Sequence, residues 1–138
     1  MEIKQTEPAQ ILACLKEIFA SQQLSAIQLA EAATQSISLG AYLAGELVGG
    51  IVIKRNYQTA HVSQLAVKPD YQGLGVGRQL LQAGEKQAKE RGAKTITLTT
   101  RSYQAPAFYQ KQGYTCFGQL VDVPMVGVTK YYFVKRFD

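Results

Sequence analysis

Three glycines separated by single residues, at positions 73, 75 and 77, form the pattern in this chain that most clearly suggests chemistry. Glycine lets the backbone turn sharply or approach a ligand closely, because it has no Cβ. The segment follows an apolar run and precedes a helix-patterned one, so its amides would lie at a helix N-terminus. Such amides are unpaired and carry partial positive charge, which suits a phosphate or pyrophosphate. The alternative is a flexible turn that joins a strand to a helix.

Two well-known phosphate-binding motifs do not fit this segment. A P-loop requires Gly-Lys followed by Ser or Thr, and no such sequence follows. The dinucleotide fingerprint requires its third glycine one residue later, where Arg78 stands, and an acidic residue after the next strand. Thr99, Thr100 and Arg101 occupy that second place. The sequence therefore argues against a nicotinamide enzyme.

Length and composition favour one folded domain over residues 1–138, with 46% apolar and 18% charged residues. No apolar run approaches the roughly 20 residues that span a bilayer, and the N-terminus lacks the features of a signal peptide. Cys14 and Cys116 are not in a metal-ligand spacing and are interpreted as free thiols. These observations predict a cytoplasmic protein with no metal site and no membrane partner.

The net charge of +5 is interpreted as a mildly basic surface rather than a nucleic-acid interface. Basic residues are scattered along the chain, and aromatic residues are not interleaved with them in a recognisable RNA-binding motif. We therefore expect no nucleic-acid partner. A positive field would also favour a polyanionic cofactor.

The hydrophobic pattern predicts a mixed α/β domain with the order β-α-α-β-β-β-α-β-α-β-β. Thr6 is the expected N-cap of the first helix. The predicted elements are a weak strand (1–6), helices (7–22 and 25–34), an antiparallel meander (36–44, 47–55 and 59–67), a helix (76–91), a strand (95–100), a helix (104–112) and two strands (114–120 and 129–137).

Two patterns taken together resemble a different cofactor site. Gln72-x-x-Gly75-x-Gly77 follows the apolar Leu65-Ala66-Val67, and the pattern Phe-Tyr-x-x-x-Gly-Tyr begins downstream at Phe108. In this order they resemble the acetyl-CoA site and the late helix of the Gcn5-related N-acetyltransferase (GNAT) superfamily, including small bacterial members of unassigned substrate. The resemblance extends from about residue 37 to the C-terminus. It implies the GNAT fold, acetyl-CoA as co-substrate and, as is common in the family, a homodimer as one assembly state.

The resemblance also implies which residues hold acetyl-CoA, in a gap between the strands at 59–67 and 95–100. The first of these strands would pair with the pantetheine arm, and the glycine-rich loop (residues 72–78) would bind the pyrophosphate. Ser102 stands where many members have an Asn that contacts the pantetheine, and its hydroxyl can make one of those hydrogen bonds. The expected cofactor-binding residues are Leu65, Ala66, Val67, Gln72, Gly73, Leu74, Gly75, Val76, Gly77, Arg78, Ser102, Ala105 and Phe108.

Tyr109 and His61 are the candidate catalytic residues. The resemblance implies that the phenol of Tyr109 protonates or stabilises the departing thiolate, and packing beneath the sheet is the alternative. His61 is the only histidine, and segments 47–69 and 91–121 contain no Asp or Glu. Strict alternation would place His61 on one face with Leu65 and Val67, and imidazole suits a general base near neutral pH. A hydrogen bond at the sheet surface is the alternative role.

These features predict transfer of an acetyl group from acetyl-CoA to a primary amine of a small molecule, peptide or protein. Direct attack in a ternary complex is expected, because neither cysteine has a partnered base for a covalent intermediate. A non-catalytic CoA-sensing domain is the first alternative, and a basic nucleic-acid module is the second. The sequence does not identify the amine, and the residues considered for its cleft are Glu31, Tyr42, Glu46, Asp122, Tyr131 and Tyr132.

Overall fold

A computed structural model describes residues 1–138, which divide into two compact units, Met1–Ala33 and Thr34–Asp138. The first unit contains one helix, α1 (Pro8–Ile27), in which no residue is buried. Pro8 occupies its first turn, and Gln28 ends it in the left-handed conformation with φ of 56°.

The N-terminal part of the chain differs from the sequence prediction in three ways. Residues 1–6 form no strand, and residues 28–34 form no second helix. No glycine or proline lies between Pro8 and Gly40, so a single helix continues where two were expected. The N-cap is Glu7 rather than Thr6, whose hydroxyl instead donates to the carbonyl of Lys4 at 3.1 Å.

The second unit is a six-stranded sheet with two helices, and it confirms the predicted mixed α/β class. The strands lie in the order β1-β2-β3-β4-β6-β5, and only β3 and β4 pair in parallel. In chain order the elements are β1 (Gln35–Leu43), β2 (Glu46–Asn56), β3 (Thr59–Val67), a 3-10 turn (Pro69–Tyr71), α2 (Val76–Glu90), β4 (Thr95–Arg101), α3 (Pro106–Lys111), β5 (Thr115–Val121) and β6 (Thr129–Arg136).

The core lies on the face of the sheet that α2 covers. Ile51, Ile53 and Leu81 are fully buried there with Phe133 of β6. Each such side chain contributes roughly 1.5–3 kcal/mol through its removal from water. At Gly84 a Cβ would lie 2.6 Å from the Cδ1 atom of Ile53, so glycine allows α2 to pack this closely against β2. None of the helices has the length and apolar character that crossing a membrane requires.

A bulge changes which face of the sheet the residues of β3 occupy. Ile53 pairs with Val62, whereas the next residue back, Val52, pairs with Gln64, so Ser63 is the extra residue. Before the bulge the even-numbered Ala60 and Val62 are buried in the core, and after it Leu65 and Val67 pack against the core. The expectation that His61 shares a face with Leu65 and Val67 is therefore wrong: His61 lies on the opposite face.

The face opposite the core is polar, and we call it the polar face. His61 of β3 pairs with Lys54 on one side and with Thr97 on the other. The other residues of the polar face follow from the alternation of side chains along β4 and from the pairing of β4 with β6. Its polar members are Lys54, His61, Thr95, Thr97, Thr99, Arg101, Lys130, Tyr132 and Arg136, and Val134 lies among them opposite Thr97.

Candidate active site

The parallel pair of strands opens into a cleft. β3 and β4 pair only from Thr59 with Thr95 to Val62 with Leu98, and beyond these residues they diverge. The cleft has a volume of about 1560 Å³ and is lined by both strands, the glycine-rich loop and α3. Past Val62 the edge of β3 that faces β4 has no strand partner, so backbone groups on this edge can pair with an extended ligand, although the Val67 carbonyl already accepts from the Gln72 side chain. The divergence thus provides the gap that the sequence analysis expected.

The glycine-rich loop presents a run of unpaired amides at one end of this cleft. Gly73 and Gly75 both have φ of 81°, a conformation that glycine adopts without strain. The amides of residues 73–75 donate to no backbone carbonyl, and the first amides of α2 have no partner within the helix. No side chain caps this helix, whose N-cap is Gly75. The loop therefore fits a pyrophosphate, because several N–H donors converge where the helix is partially positive.

Gly77 is glycine for a reason other than packing within the protein. A Cβ at this position would lie 3.6 Å from the ring of Phe108 and 3.7 Å from Val67, which are ordinary van der Waals distances. Its φ is not positive, since it lies in the first turn of α2. Packing within the protein therefore does not require glycine at this position.

Two sets of hydrogen bonds hold the glycine-rich loop in place. The Gln72 side-chain amide donates to the carbonyl of Val67 at 3.0 Å. Tyr71 and Lys68 donate to the two carboxylate oxygens of Glu46 at 2.8 and 3.1 Å. The hydrogen bond from Tyr71 is the largest cause of a lowered pKa at Glu46, and the hydrogen bond from Lys68 is the next largest. The same hydrogen bond to Glu46 raises the pKa of Tyr71. Glu46 thus anchors the loop and does not line the cleft.

Tyr109 of α3 lies between the core and the cleft. Its ring packs edge-on against the rings of Phe108 and Tyr114, with distances of 5.1 and 5.9 Å between ring centroids. It is also tilted against the ring of Phe133, at a centroid distance of 6.0 Å. The residue is 9% exposed and lines the cleft, and burial raises the pKa of its phenol. A phenol in this environment stays protonated near neutral pH and can act as an acid.

His61 lies just before the point where the strands diverge. Its Nδ1 atom is 2.9 Å from the hydroxyl of Thr97 on β4. When Nδ1 donates this hydrogen bond, the lone pair of Nε2 remains available to accept a proton. Partial burial, and then the nearby charge of Lys130, lower the pKa of His61. His61 is not among the residues that line the cleft, but it is two residues before Ser63, which is.

Two expected cofactor-binding residues do not line the cleft. Leu74 is exposed on the loop. The amide of Ser102 donates to the carbonyl of Thr129 at 2.8 Å, and its hydroxyl accepts from the Thr129 amide at 3.1 Å. Ser102 thus joins the end of β4 to the start of β6. The cleft does contain Leu65, Ala66, Val67, Gln72, Gly73, Gly75, Val76, Gly77, Arg78, Ala105 and Phe108.

Among the residues considered for the acceptor, Tyr42 lines the cleft, whereas Asp122, Tyr131 and Tyr132 do not. The carboxylate of Asp122 instead accepts from the Gly127 amide at 2.8 Å. It therefore closes the loop before β6.

Gln104 is a cleft residue that the sequence analysis did not single out. Its side-chain oxygen accepts from the Arg101 amide at 2.8 Å and from the Thr100 hydroxyl at 3.2 Å. These bonds fix the side chain at the end of β4, and its Nε2 donors are free for a ligand. In the sequence, the only indication of this role was that Gln104 carries a side-chain amide two residues after Ser102. Ser63, Thr99 and Tyr103 also line the cleft.

Known proteins share these features. A family profile described as the Acetyltransferase (GNAT) family matches residues 8–114. Blasticidin-S acetyltransferase from Streptomyces morookaense is 37% identical over 93 residues, which cover 67% of this chain and 68% of that protein.

Solved structures agree with this relationship. An acetyltransferase from Bacillus cereus ATCC 14579 superimposes with a TM-score of 0.86 at 27% identity, over 99% of this chain and 98% of its own. An acetyltransferase from Bacillus anthracis str. Ames, in complex with acetyl coenzyme A, has a TM-score of 0.68 at 29% identity, over 75% of this chain and 63% of its own. With the diverging strands and the glycine-rich loop, these matches show that the chain belongs to the GNAT family and is an N-acetyltransferase.

Proposed function

We propose that this enzyme transfers the acetyl group of acetyl-CoA to a primary amine of a small molecule or peptide, with both substrates bound at once. The observation that carries the proposal is the divergence of β3 and β4 beyond Val62 and Leu98, with the unpaired amides of the glycine-rich loop at one end. The family relationship supports acetyl-CoA as the donor, since the Bacillus anthracis structure holds it.

The chain offers three kinds of contact to the donor. The free edge of β3 at Leu65, Ala66 and Val67 would pair with the amides of the pantetheine arm. The glycine-rich loop would bind the pyrophosphate, and Arg78 adds a positive charge on the first turn of α2. Gln104 would donate from its Nε2 to a pantetheine carbonyl, in place of the contact first expected of Ser102.

The two candidate catalytic residues lie on opposite faces of the sheet. Tyr109 is on the core side and His61 is on the polar side. The nitrogen of the acceptor attacks the thioester carbonyl, a C–N bond forms and the C–S bond breaks. His61 takes the proton from the amine, directly or through a water, and Tyr109 gives its proton to the sulfur. This division fits an acceptor that arrives from the polar face.

A covalent acetyl-cysteine intermediate is not part of this proposal. Cys116 packs against the core, and its thiol donates to the carbonyl of Gly118 at 3.3 Å. Cys14 lies on α1 in the first unit and is exposed. Cys116 is therefore not hydrogen-bonded to His61, the only histidine, whose Nδ1 atom lies 2.9 Å from the Thr97 hydroxyl.

The test is a titration with acetyl-CoA followed by an assay of thiol release on a panel of amines. We expect acetyl-CoA to raise the melting temperature, and we expect thiol release that depends on the amine. Gly77→Val is a suitable control, because the valine side chain would occupy the space beside Val67 and Phe108. We expect this variant to lose the stabilisation by acetyl-CoA. No stabilisation by acetyl-CoA would overturn the proposal. Binding without turnover of any amine would indicate a CoA-binding domain instead.

A further inference from the structure

Two basic side chains beside the cleft have no acidic partner. Arg101 is the last residue of β4, Lys130 is the second residue of β6, and the two residues pair across the sheet. The ion pairs of the structure involve other cations: Lys4 with Glu2, Lys68 with Glu46, and Lys135 with Glu85. Two unpaired cations in register on the same face repel each other, so this arrangement favours an anion between them.

Both side chains extend toward residues of the cleft or their direct neighbours. The guanidinium of Arg101 donates to the Tyr103 hydroxyl at 2.6 Å, and Tyr103 lines the cleft. The ammonium of Lys130 lies 5.5 Å from the centre of the Tyr132 ring, and Tyr132 pairs with the cleft residue Thr99. Lys130 is also close enough to His61 for its charge to influence the imidazole.

The residues that line the cleft include no Asp or Glu. Their two cations have other roles, since Lys68 is paired with Glu46 and Arg78 lies at the N-terminus of α2. The six strands contain one acidic residue in total, Glu46. A second ammonium group on an acceptor would therefore find no counter-ion here and would meet like charges, which disfavour binding.

We expect the acceptor to approach the cleft from the polar face. On the core face α3 borders the cleft, and the Tyr109 ring packs there against Phe133. On the other face Thr99 lines the cleft, and the next residue along that face of β4 is Arg101. An acceptor amine placed near Thr99 would have its remaining atoms close to Arg101 and Lys130.

We infer that Arg101 and Lys130 bind an oxyanion on the acceptor, which is then a primary amine that also carries a carboxylate or a phosphonate. The inference rests on the proposed function and names its substrate class. Arg101 supplies a planar, multiply donating guanidinium, which suits either oxyanion. Lys130 supplies a second charge on the adjacent strand. The ammonium end of the same molecule would face the neutral side chains of Ser63 and Thr99 at the cleft.

The test compares four amines of similar length under steady-state conditions: β-alanine, 2-aminoethylphosphonate, ethanolamine and ethylenediamine. We expect kcat/KM for at least one anionic amine to exceed that for ethanolamine by about tenfold or more, as one charge-assisted contact can provide. Ethylenediamine should be the poorest substrate. The first two compounds separate the carboxylate from the phosphonate.

Variants then assign the preference to the two residues. Arg101→Ala and Lys130→Ala should each reduce the anionic-to-neutral ratio of kcat/KM toward one, mainly through KM for the anionic amine. Lys130→Glu should reverse the preference in favour of ethylenediamine. Lys86→Ala, which removes an exposed cation on α2, should leave the ratio unchanged.

The outcomes separate this inference from the proposed function. Turnover that favours ethanolamine or ethylenediamine over both anionic amines would overturn the inference and leave the acetyltransferase proposal standing. A rise in KM for acetyl-CoA in Arg101→Ala, with the amine ratio unchanged, would assign Arg101 to the donor instead and also overturn it. Absence of turnover with any amine would contradict the proposed function itself.

Discussion

The hydroxyl of Tyr114 donates a 2.7 Å hydrogen bond to the carboxylate of Glu85, which is 9% exposed on α2. The same carboxylate pairs with Lys135 of β6 at 3.2 Å, and the Lys135 ammonium also donates to the carbonyl of Gln112 at 3.0 Å. Burial first, and then this bond to Glu85, raise the pKa of Tyr114. The network joins α2, β6 and the turn after α3, and it therefore holds α3 and Tyr109 in position beside the cleft.

Removal of this hydroxyl should destabilise the protein. Tyr114→Phe leaves a buried carboxylate with one partner fewer, and hydrogen bonds to charged groups contribute about 2 kcal/mol. We expect the free energy of unfolding, measured with urea, to fall by about that amount without a change in m value. Tyr131→Phe is the matched control, since this half-buried tyrosine packs against the core and lies outside the network. Equal stability of the two variants would contradict the role given to the network.

Tyr109→Phe should reduce turnover and preserve the fold. The contacts of the ring remain, and burial is the cause of the raised pKa of this phenol. Loss of a general acid typically costs about 100-fold in kcat. Thiol-release kinetics and urea unfolding measure the two effects separately. Because the pKa is raised above its usual value, Tyr109 should produce no loss of activity between pH 7 and about 10. A fully active Tyr109→Phe variant would show that Tyr109 is not the general acid and that its ring serves only in packing.

His61 should determine the acidic limb of the pH profile. Burial and Lys130 hold its pKa below 6.5, so the imidazole is neutral and able to accept a proton at pH 7. As the pH falls through that lowered pKa the base becomes protonated, and kcat/KM should decline with a midpoint below 6.5. His61→Gln should remove this limb and lower activity at pH 7 by about 100-fold. An unchanged profile in His61→Gln would show that another group, or water, accepts the proton.

Substitution of two loop glycines should separate backbone strain from ligand contact. Gly75→Ala places a Cβ on a residue with φ of 81° and should cost about 1 kcal/mol of folding free energy. Gly77→Ala makes only ordinary contacts with Phe108 and Val67, and in a helix Ala is favoured over Gly by roughly 0.5–1 kcal/mol. We therefore expect the second variant to be at least as stable as the wild type and to bind acetyl-CoA more weakly. Calorimetry would measure the affinity for acetyl-CoA, and urea unfolding would measure the stability. Undiminished affinity in Gly77→Ala would refute the close approach of the ligand.

The sequence by itself determined the family and predicted the glycine-rich end of the cleft. Glycines at 73, 75 and 77 can be recognised locally, because a positive φ or a missing Cβ is a property of the residue type. The Phe-Tyr pattern at 108 placed Tyr109 on α3, since a short helix after a β-rich strand is also a local feature. Strand alternation predicted the sheet for the same reason.

The tertiary structure decided what depends on pairing between distant segments. The bulge at Ser63 exists only in the register between β2 and β3, and it moved His61 to the face opposite Leu65 and Val67. Ser102 is hydrogen-bonded to Thr129, 27 residues later in the chain. The residues next to Ser102 in the sequence therefore could not predict that it does not line the cleft. The pairing of Arg101 with Lys130 likewise required β4 and β6 to be adjacent. A one-residue change of register inverts the faces of a strand, and no local pattern specifies it.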